Sequence, residues 1–221
     1  MSRARNVSTV TGMLVALVVL AVVLWWENRD ATDSSGGGGT GGDSGAAAAA
    51  AEQLAGLQIA PPGSMAGYSR EKFPHWSSQG ESCDTRELLL QRQGENVTRD
   101  SECRATSGRW ISPYDGVEIT EARKLDIDHV VPLAEAWRSG AAEWTQERRQ
   151  EFANDLNQLL AVSATTNRAK GDQDPAQWRP PNRDYWCTYA IKWIETKAAY
   201  QLTVDQAEHD ALVEMLDTCP N

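Results

Sequence analysis

Apolar and polar positions divide the chain into an apolar N-terminal block, a polar stretch and a region of short alternating patterns. The block Val7–Trp26 contains no charged residue and follows Arg3 and Arg5. Roughly 20 apolar residues suffice to cross a bilayer as a helix. A positive flank favours the cytoplasmic side, and Trp25-Trp26 is typical of an interfacial anchor. We therefore expect 1–27 to be a transmembrane anchor or signal segment, with uncleaved anchoring preferred.

The next stretch, residues 28–66, has few large apolar side chains. It is Gly/Ser-rich over Ser34–Gly45, continues with an alanine run at Ala46–Ala51, and then contains Pro61-Pro62-Gly63. Such compositions are typical of linkers because they cannot build a core. The sequence thus predicts a linker over 28–66 and one folded domain over 67–221.

The first half of the predicted domain combines a helix with a hairpin. Thr85–Arg92 is expected to be a helix capped by Asp84, since a side-chain carboxylate at this position accepts a backbone N–H. Cys103–Ser112 and Val117–Thr120 flank the turn sequence Pro113-Tyr-Asp-Gly116. Proline and glycine each supply a backbone angle that a turn requires. These residues therefore predict a small β-hairpin.

The second half predicts a strand, a long excursion, a second strand and a helix. The strands are Lys124–Val131 and Gln158–Val162, with a helix at Glu143–Phe152 between them. A further helix is expected between Ser163, a good N-cap, and Gly171, which suits a positive φ. The expected fold class is therefore α+β.

Two amphipathic helices are expected to close the chain. They are Asp184–Tyr200 and Thr203–Leu216, the second beginning with the capping-box pattern Thr203-x-x-Gln206. If they pair antiparallel, Cys187 and Cys219 become neighbours.

The four cysteines allow three disulfide connectivities. We predict Cys83–Cys103 with Cys187–Cys219 because each bond closes a modest loop. Four buried free thiols are the alternative, which an exported chain disfavours.

The charge balance limits the classes of partner. The chain has 21 Lys and Arg against 31 Asp and Glu, a net charge of -10. This excess argues against broad, salt-driven binding to polyanions. A metal ion and a few local cations can still bind one phosphate, so a nucleic-acid substrate is not excluded.

The candidate chemistry centres on His129, which stands in Leu125-Asp-Ile-Asp-His-Val-Val-Pro-Leu133. Histidine can take a proton from water near neutral pH. The adjacent Asp128 offers a hard oxygen ligand for Mg²⁺. Asn167 and Lys170 lie three residues apart on the predicted helix after Ser163 and therefore share a face.

These residues resemble the HNH, or ββα-metal, nucleases and specifically the GmrSD-type C-terminal domain of exported actinobacterial proteins. The resemblance covers nearly all of Tyr68–Cys219. Its further motifs are Cys83-Asp-Thr-Arg86, Phe152-Ala-Asn-Asp155, Leu159-Leu-Ala-Val162, Asn167-Arg-Ala-Lys-Gly-Asp172 and Trp178-x-Pro-Pro-Asn182. It implies a ββα-metal (His-Me finger) core with flanking helices and a hairpin, stapled by disulfides.

The resemblance also implies roles for individual residues. Asp128 and Asn167 would bind one divalent cation, with Mg²⁺ favoured and Mn²⁺ or Zn²⁺ as alternatives. His129 would be the general base, and Lys170 would lie beside the phosphate.

Other positions stay open at this stage. The side chain that orients the base is either Gln158 or Asn157. Arg168 and Arg86 are further candidates for phosphate contacts, although surface arginines more often pair with acids or water.

The predicted function is an extracytoplasmic, metal-dependent endonuclease that hydrolyses DNA, or RNA as the second choice, with low sequence specificity. The domain would be held outside the cytoplasm by the membrane anchor, or secreted if the anchor is cleaved. The alternative is a catalytically silent envelope binding module that keeps the same fold.

Overall fold

The computed structural model describes residues 41–220 of the chain. The predicted anchor, 1–27, and the first part of the predicted linker lie outside the described residues. Within residues 41–220, no helix is both long enough and apolar enough to cross a membrane.

The N-terminal half of the described chain alternates helices and short antiparallel strands. Helix α1 (Gly41–Gly56) precedes a short 3-10 helix, Arg70–Lys72, and the two-stranded ladder of β1 (Ser78–Gly80) and β2 (Cys83–Asp84). Helix α2 (Thr85–Gln93) follows directly. Its N-cap is Asp84, whose side chain accepts from the backbone N–H of Glu87, as the sequence predicts.

A three-stranded antiparallel sheet comes next, in the order β3 (Glu95–Arg99), β4 (Ala105–Ile111) and β5 (Glu118–Glu121). The predicted hairpin is the β4–β5 pair, in which Trp110 lies opposite Ile119. Strand β3 was not predicted because its side chains are mostly exposed and show no apolar alternation.

The centre of the domain is a second antiparallel pair, β6 (Leu125–His129) and β7 (Leu159–Ser163). The register runs from Leu125 opposite Ser163 to His129 opposite Leu159. The connection between these strands contains α3 (Leu133–Arg138) and α4 (Gln146–Ala153). The predicted order of strand, excursion, strand and helix is confirmed, whereas α3 was not predicted.

Helix α5 (Ala164–Lys170) follows β7 without a loop and packs against both central strands. Ser163 caps it by accepting from the backbone N–H of Thr166. Gly171 ends it with a φ of 57°, a conformation that costs glycine little. Both helix boundaries agree with the prediction, and together they set which α5 side chains face β6.

The chain closes with α6 (Trp186–Tyr200) and α7 (Gln206–Leu216), which pack against each other. The predicted capping box is wrong by two residues, because the N-cap is Asp205 and its partner is Glu208. Both disulfides are as predicted, Cys83–Cys103 and Cys187–Cys219.

The linker prediction does not hold for residues 41–63. Ala50 and Leu54 of α1 are buried in the main core, at 1% and 2% exposure. The residues after α1 are also hydrogen-bonded to the domain. The Ala60 N–H donates to the backbone oxygen of Val204 at 2.9 Å, and the Gly63 N–H donates to the backbone oxygen of Arg138. Alanine is a strong helix former with a small side chain, so this run can lie close against α6 and α7.

Two apolar clusters form the core. The larger one lies between α1, α3, α4, α6 and α7, with Phe73, Phe152, Tyr189, Trp193 and Leu212 fully buried. The smaller one joins α2 and the three-stranded sheet to the central strands through Leu89, Leu90, Trp110, Leu125, Ile127 and Leu159. The end of β6 therefore lies where the two clusters meet.

Candidate active site

His129 is the last residue of β6, and its ring is held in one orientation. Nε2 lies 2.9 Å from the carbonyl oxygen of Ala153 at the end of α4. A carbonyl oxygen only accepts, so Nε2 carries the proton. Burial lowers the pKa of His129 to about 3, which makes the ring neutral at physiological pH. Nδ1 is therefore the nitrogen with a free lone pair, and no described residue donates to it.

The carbonyl of Ala153 is fixed by its neighbour Asn154. The Asn154 side-chain oxygen accepts from Ser77 N–H and from the Thr85 hydroxyl, each at 2.8 Å. Its amide nitrogen donates to the oxygen of Pro74 at 2.8 Å. Asn154 thus ties the end of α4 to the segment before β1 and to α2, next to the Ala153 carbonyl that holds the His129 ring.

Neither residue predicted to orient the base touches it. The Gln158 side chain is buried and donates to the oxygen of Phe152 at 2.7 Å, one residue before the carbonyl that holds His129. Asn157 is exposed on the surface. Sequence reasoning missed Asn154, although it stands in the Phe152-Ala-Asn-Asp155 motif.

Two aromatic residues pack around the imidazole. Trp76 stacks on the His129 ring at 6.0 Å between centroids with 25° between planes, and His75 meets it edge-on at 6.4 Å. Trp76 has a positive φ of 62°, which is strained for a bulky side chain. These neighbours exclude water from one side of the ring and contribute to its desolvation.

Asp128 points toward α5 and is already paired. The Lys170 Nζ lies 3.0 Å from Oδ1 and 2.8 Å from Oδ2, and it also donates to the His129 oxygen at 2.8 Å. The Tyr114 hydroxyl donates to Oδ2. Burial raises the pKa of Asp128 and lowers the pKa of Lys170, while their contact opposes both shifts.

Lys170 is therefore engaged inside the protein and is not open to the phosphate contact that the resemblance implied. Its side chain is fully buried, with 0% exposure, and its three contacts are with Asp128 and the backbone of His129. A substrate phosphate could reach this ammonium only after the ion pair had opened.

The two implied metal ligands are not arranged as a cation site. Both Asp128 oxygens receive donors, and the Asn167 amide nitrogen faces Asp126 at 3.3 Å. Across residues 41–220 there is no group of three or more His, Cys, Asp or Glu side chains that could hold a metal. Mg²⁺ requires near-octahedral coordination by oxygen ligands. As arranged, these donors do not fit a divalent cation.

The two candidate arginines both have a carboxylate neighbour. Arg86 pairs with Glu87 at 2.7 Å and donates to the oxygen of Ala122, just before β6. Arg168 is 78% exposed and lies 3.8 Å from Asp126. Arg86 is thus engaged within the protein, whereas Arg168 remains a candidate for outer phosphate contacts.

A cavity of about 250 Å³ adjoins His129. Its lining combines the ends of β6 and α5 with the start of α3 and the segment before β1: Tyr68, Arg70, Ile127, Asp128, His129, Pro132, Leu133, Ala134, Asn167, Gly171 and Asp172. A larger depression of about 640 Å³ beside α4 is lined by three carboxylates and Arg148, and His129 is not part of its lining. The smaller cavity is therefore the candidate active site.

Known proteins show the family of this chain. Residues 84–215 match the family described as "GmrSD restriction endonucleases, C-terminal domain". A protein of Arthroderma benhamiae named "Uncharacterized secreted protein" is 55% identical over 168 residues, which are 75% of this chain and 82% of the relative. No solved structure matches the chain.

The chain therefore belongs to the GmrSD C-terminal domain family, a family associated with nucleases. This confirms the resemblance at the level of the family. The relative is fungal, so the actinobacterial part of that resemblance stays a prediction.

Proposed function

We propose that this protein is a phosphodiester hydrolase acting on nucleic acid, with His129 as the general base. The observation that carries the proposal is the neutral imidazole beside the cavity, whose Nε2 is held by Ala153 and whose Nδ1 keeps a free lone pair. We propose that Nδ1 takes a proton from water in that cavity. Membership of a nuclease-related family supports the choice of substrate.

The chemistry proceeds by addition of water to phosphorus. The lone pair of Nδ1 accepts a proton from water as the water oxygen forms a bond to phosphorus. The bond from phosphorus to the leaving oxygen then breaks, and that oxygen takes a proton from solvent. The Ala153 carbonyl stabilises the imidazolium that forms by accepting from Nε2.

The family resemblance also implies one divalent cation, Mg²⁺ first, held by Asp128 and Asn167. Such an ion would stabilise the phosphorane charge. Because Lys170 and Tyr114 already donate to Asp128, no step of the proposed reaction depends on a metal at this position.

The substrate that we propose is DNA, with RNA second, cleaved with little sequence specificity. No described helix presents a set of side chains for reading bases. We further propose a location outside the cytoplasm, which is supported by the two disulfides and by the name of the secreted relative. Attachment to the membrane depends on residues 1–27.

The test is hydrolysis of plasmid DNA and of RNA by the full chain carrying His129→Ala, each with Mg²⁺, with Mn²⁺ and with a chelator. We expect a loss of about 10²–10⁴-fold, the usual contribution of a general base. His209→Ala is the matched control, because His209 lies on α7 beside Asp210, away from the cavity. Undiminished hydrolysis by a folded His129→Ala protein would contradict the proposal that His129 is the general base.

A second candidate is a catalytically silent binding module on the same fold. The observation that favours it is the closed Asp128–Lys170 pair, which occupies the implied metal ligand. Absence of hydrolysis by the wild-type chain under every metal condition, together with retained oligonucleotide binding, would support this module.

A further inference from the structure

Arg70 is the positively charged side chain in the lining of the cavity. It opens the short 3-10 helix Arg70–Lys72, is exposed, and lines the cavity together with His129 and Asn167. Within residues 41–220, no carboxylate lies within ion-pair distance of its guanidinium and no side chain or backbone oxygen accepts from it. A guanidinium carries five donors, and here all of them are available to a ligand.

Other cations near the cavity are engaged. Lys170 pairs with Asp128, and Arg138 pairs with Glu135 at 3.0 Å and with Asp172 at 2.7 Å. Lys72 lies over the ring of Trp137, 5.0 Å from its centroid. Lys170 and Arg138 thus pair with Asp128 and Asp172, the two carboxylates of the cavity lining that would otherwise oppose an anion.

Arg70 lines the same cavity as both central residues, Asp128 and His129. An anion bound at its guanidinium would therefore share that cavity with the imidazole that activates water. In a chain with a net charge of -10, such a local cation is needed to hold a phosphate.

We propose that Arg70 binds the phosphate group of the phosphodiester that His129 attacks. The inference rests on the proposed function and deepens it by naming the side chain that binds the negatively charged phosphate of the substrate. The planar fork of arginine matches two phosphate oxygens, so Arg70 both binds the diester and sets the phosphorus in line with the activated water. It takes no part in bond exchange.

Binding is tested separately from hydrolysis, in the full chain carrying His129→Ala. The probe is an eight-nucleotide single-stranded DNA, and its Kd is measured for the parent and with Arg70→Ala added. We expect Arg70→Ala to weaken binding about 10-fold or more, as for loss of a charge-assisted hydrogen bond. Arg70→Lys should fall between the two, because it keeps the charge and loses the fork.

The matched control is Lys72→Ala, which removes a neighbouring cation that does not line the cavity. We expect it to change the Kd less than about twofold. The slope of log Kd against log salt concentration should decrease in Arg70→Ala by about the amount that one phosphate contact contributes. It should stay unchanged in Lys72→Ala.

Equal oligonucleotide affinity for parent and Arg70→Ala, or no measurable binding by the parent, would overturn the inference. Arg70-dependent binding without any hydrolysis would support it while removing the proposed function.

Discussion

Asp128 and His129 are adjacent in the chain but have separate environments. Successive residues of a strand face opposite sides, so Asp128 points to α5 and pairs with Lys170, while His129 packs against Trp76. The pair was predicted as metal ligand and base. The geometry of the base supports that role, whereas the oxygens of Asp128 are used by an internal cation.

Removing Lys170 is expected to destabilise the protein. Lys170→Met leaves the buried Asp128 carboxylate without its counter-charge, and we expect a loss of about 3–5 kcal/mol in the free energy of unfolding. Urea denaturation measures it. The exposed Lys124→Met is the control and should change stability by about 1 kcal/mol or less.

The double variant Lys170→Met with Asp128→Asn should recover part of the loss, because no charge is then left unpaired. A cost below about 1 kcal/mol for Lys170→Met alone would mean that the buried ion pair does not form in solution.

At the scale of elements, α1 shows how composition can mislead. An alanine run beside glycine and serine has the composition of a linker, yet Ala50 and Leu54 are buried against the two C-terminal helices. Small side chains contribute little apolar area each, so their burial depends on a partner surface that the local sequence does not reveal. The folded unit therefore begins well before the predicted residue 67.

Leu54→Ala tests whether α1 belongs to the folded unit. Loss of a buried leucine side chain leaves a cavity, and we expect a destabilisation of about 2–5 kcal/mol in urea unfolding. Gln53→Ala, at the exposed neighbouring position, should be neutral. Equal stability of the two variants would show that α1 does not pack on the domain.

At the scale of the whole molecule, one buried charge cluster joins three helices. Lys197 of α6 contacts Glu135 of α3 at 2.9 Å and Glu208 of α7 at 2.6 Å, and the Trp193 indole N–H also donates to Glu208. Burial raises the pKa of Glu208 to about 7, although Lys197 opposes the shift. Protonation of Glu208 still leaves Lys197 paired with Glu135.

This cluster predicts a pH dependence of stability. The folded protein binds a proton at Glu208 more tightly than the unfolded chain, so its contribution is present below the unfolded pKa of about 4.3 and is lost as pH rises through about 7. We expect Glu208→Gln to flatten the stability profile between about pH 4.5 and 7, measured by urea unfolding. Glu195→Gln, exposed on α6, is the control and should keep the wild-type slope.

The sequence by itself determined the features that depend on near neighbours. Helix caps at Asp84 and Ser163, the turn between β4 and β5, and the order of β6, β7 and α5 all follow from residues a few positions apart. The motif around His129 indicated the family and a candidate base, and loop lengths selected both disulfides. Local hydrogen bonding and side-chain periodicity suffice for these features.

Only the tertiary structure decided which groups meet across the fold. It paired Lys170 with Asp128, anchored Asn154 beside the carbonyl that holds His129, and gave Arg70 at the cavity no ion-pair partner among residues 41–220. These contacts join residues that are distant in sequence, and whether a charge is free or neutralised depends on long-range packing. Composition and spacing do not specify that packing, so they could not predict that Lys170 and Arg86 have partners inside the protein.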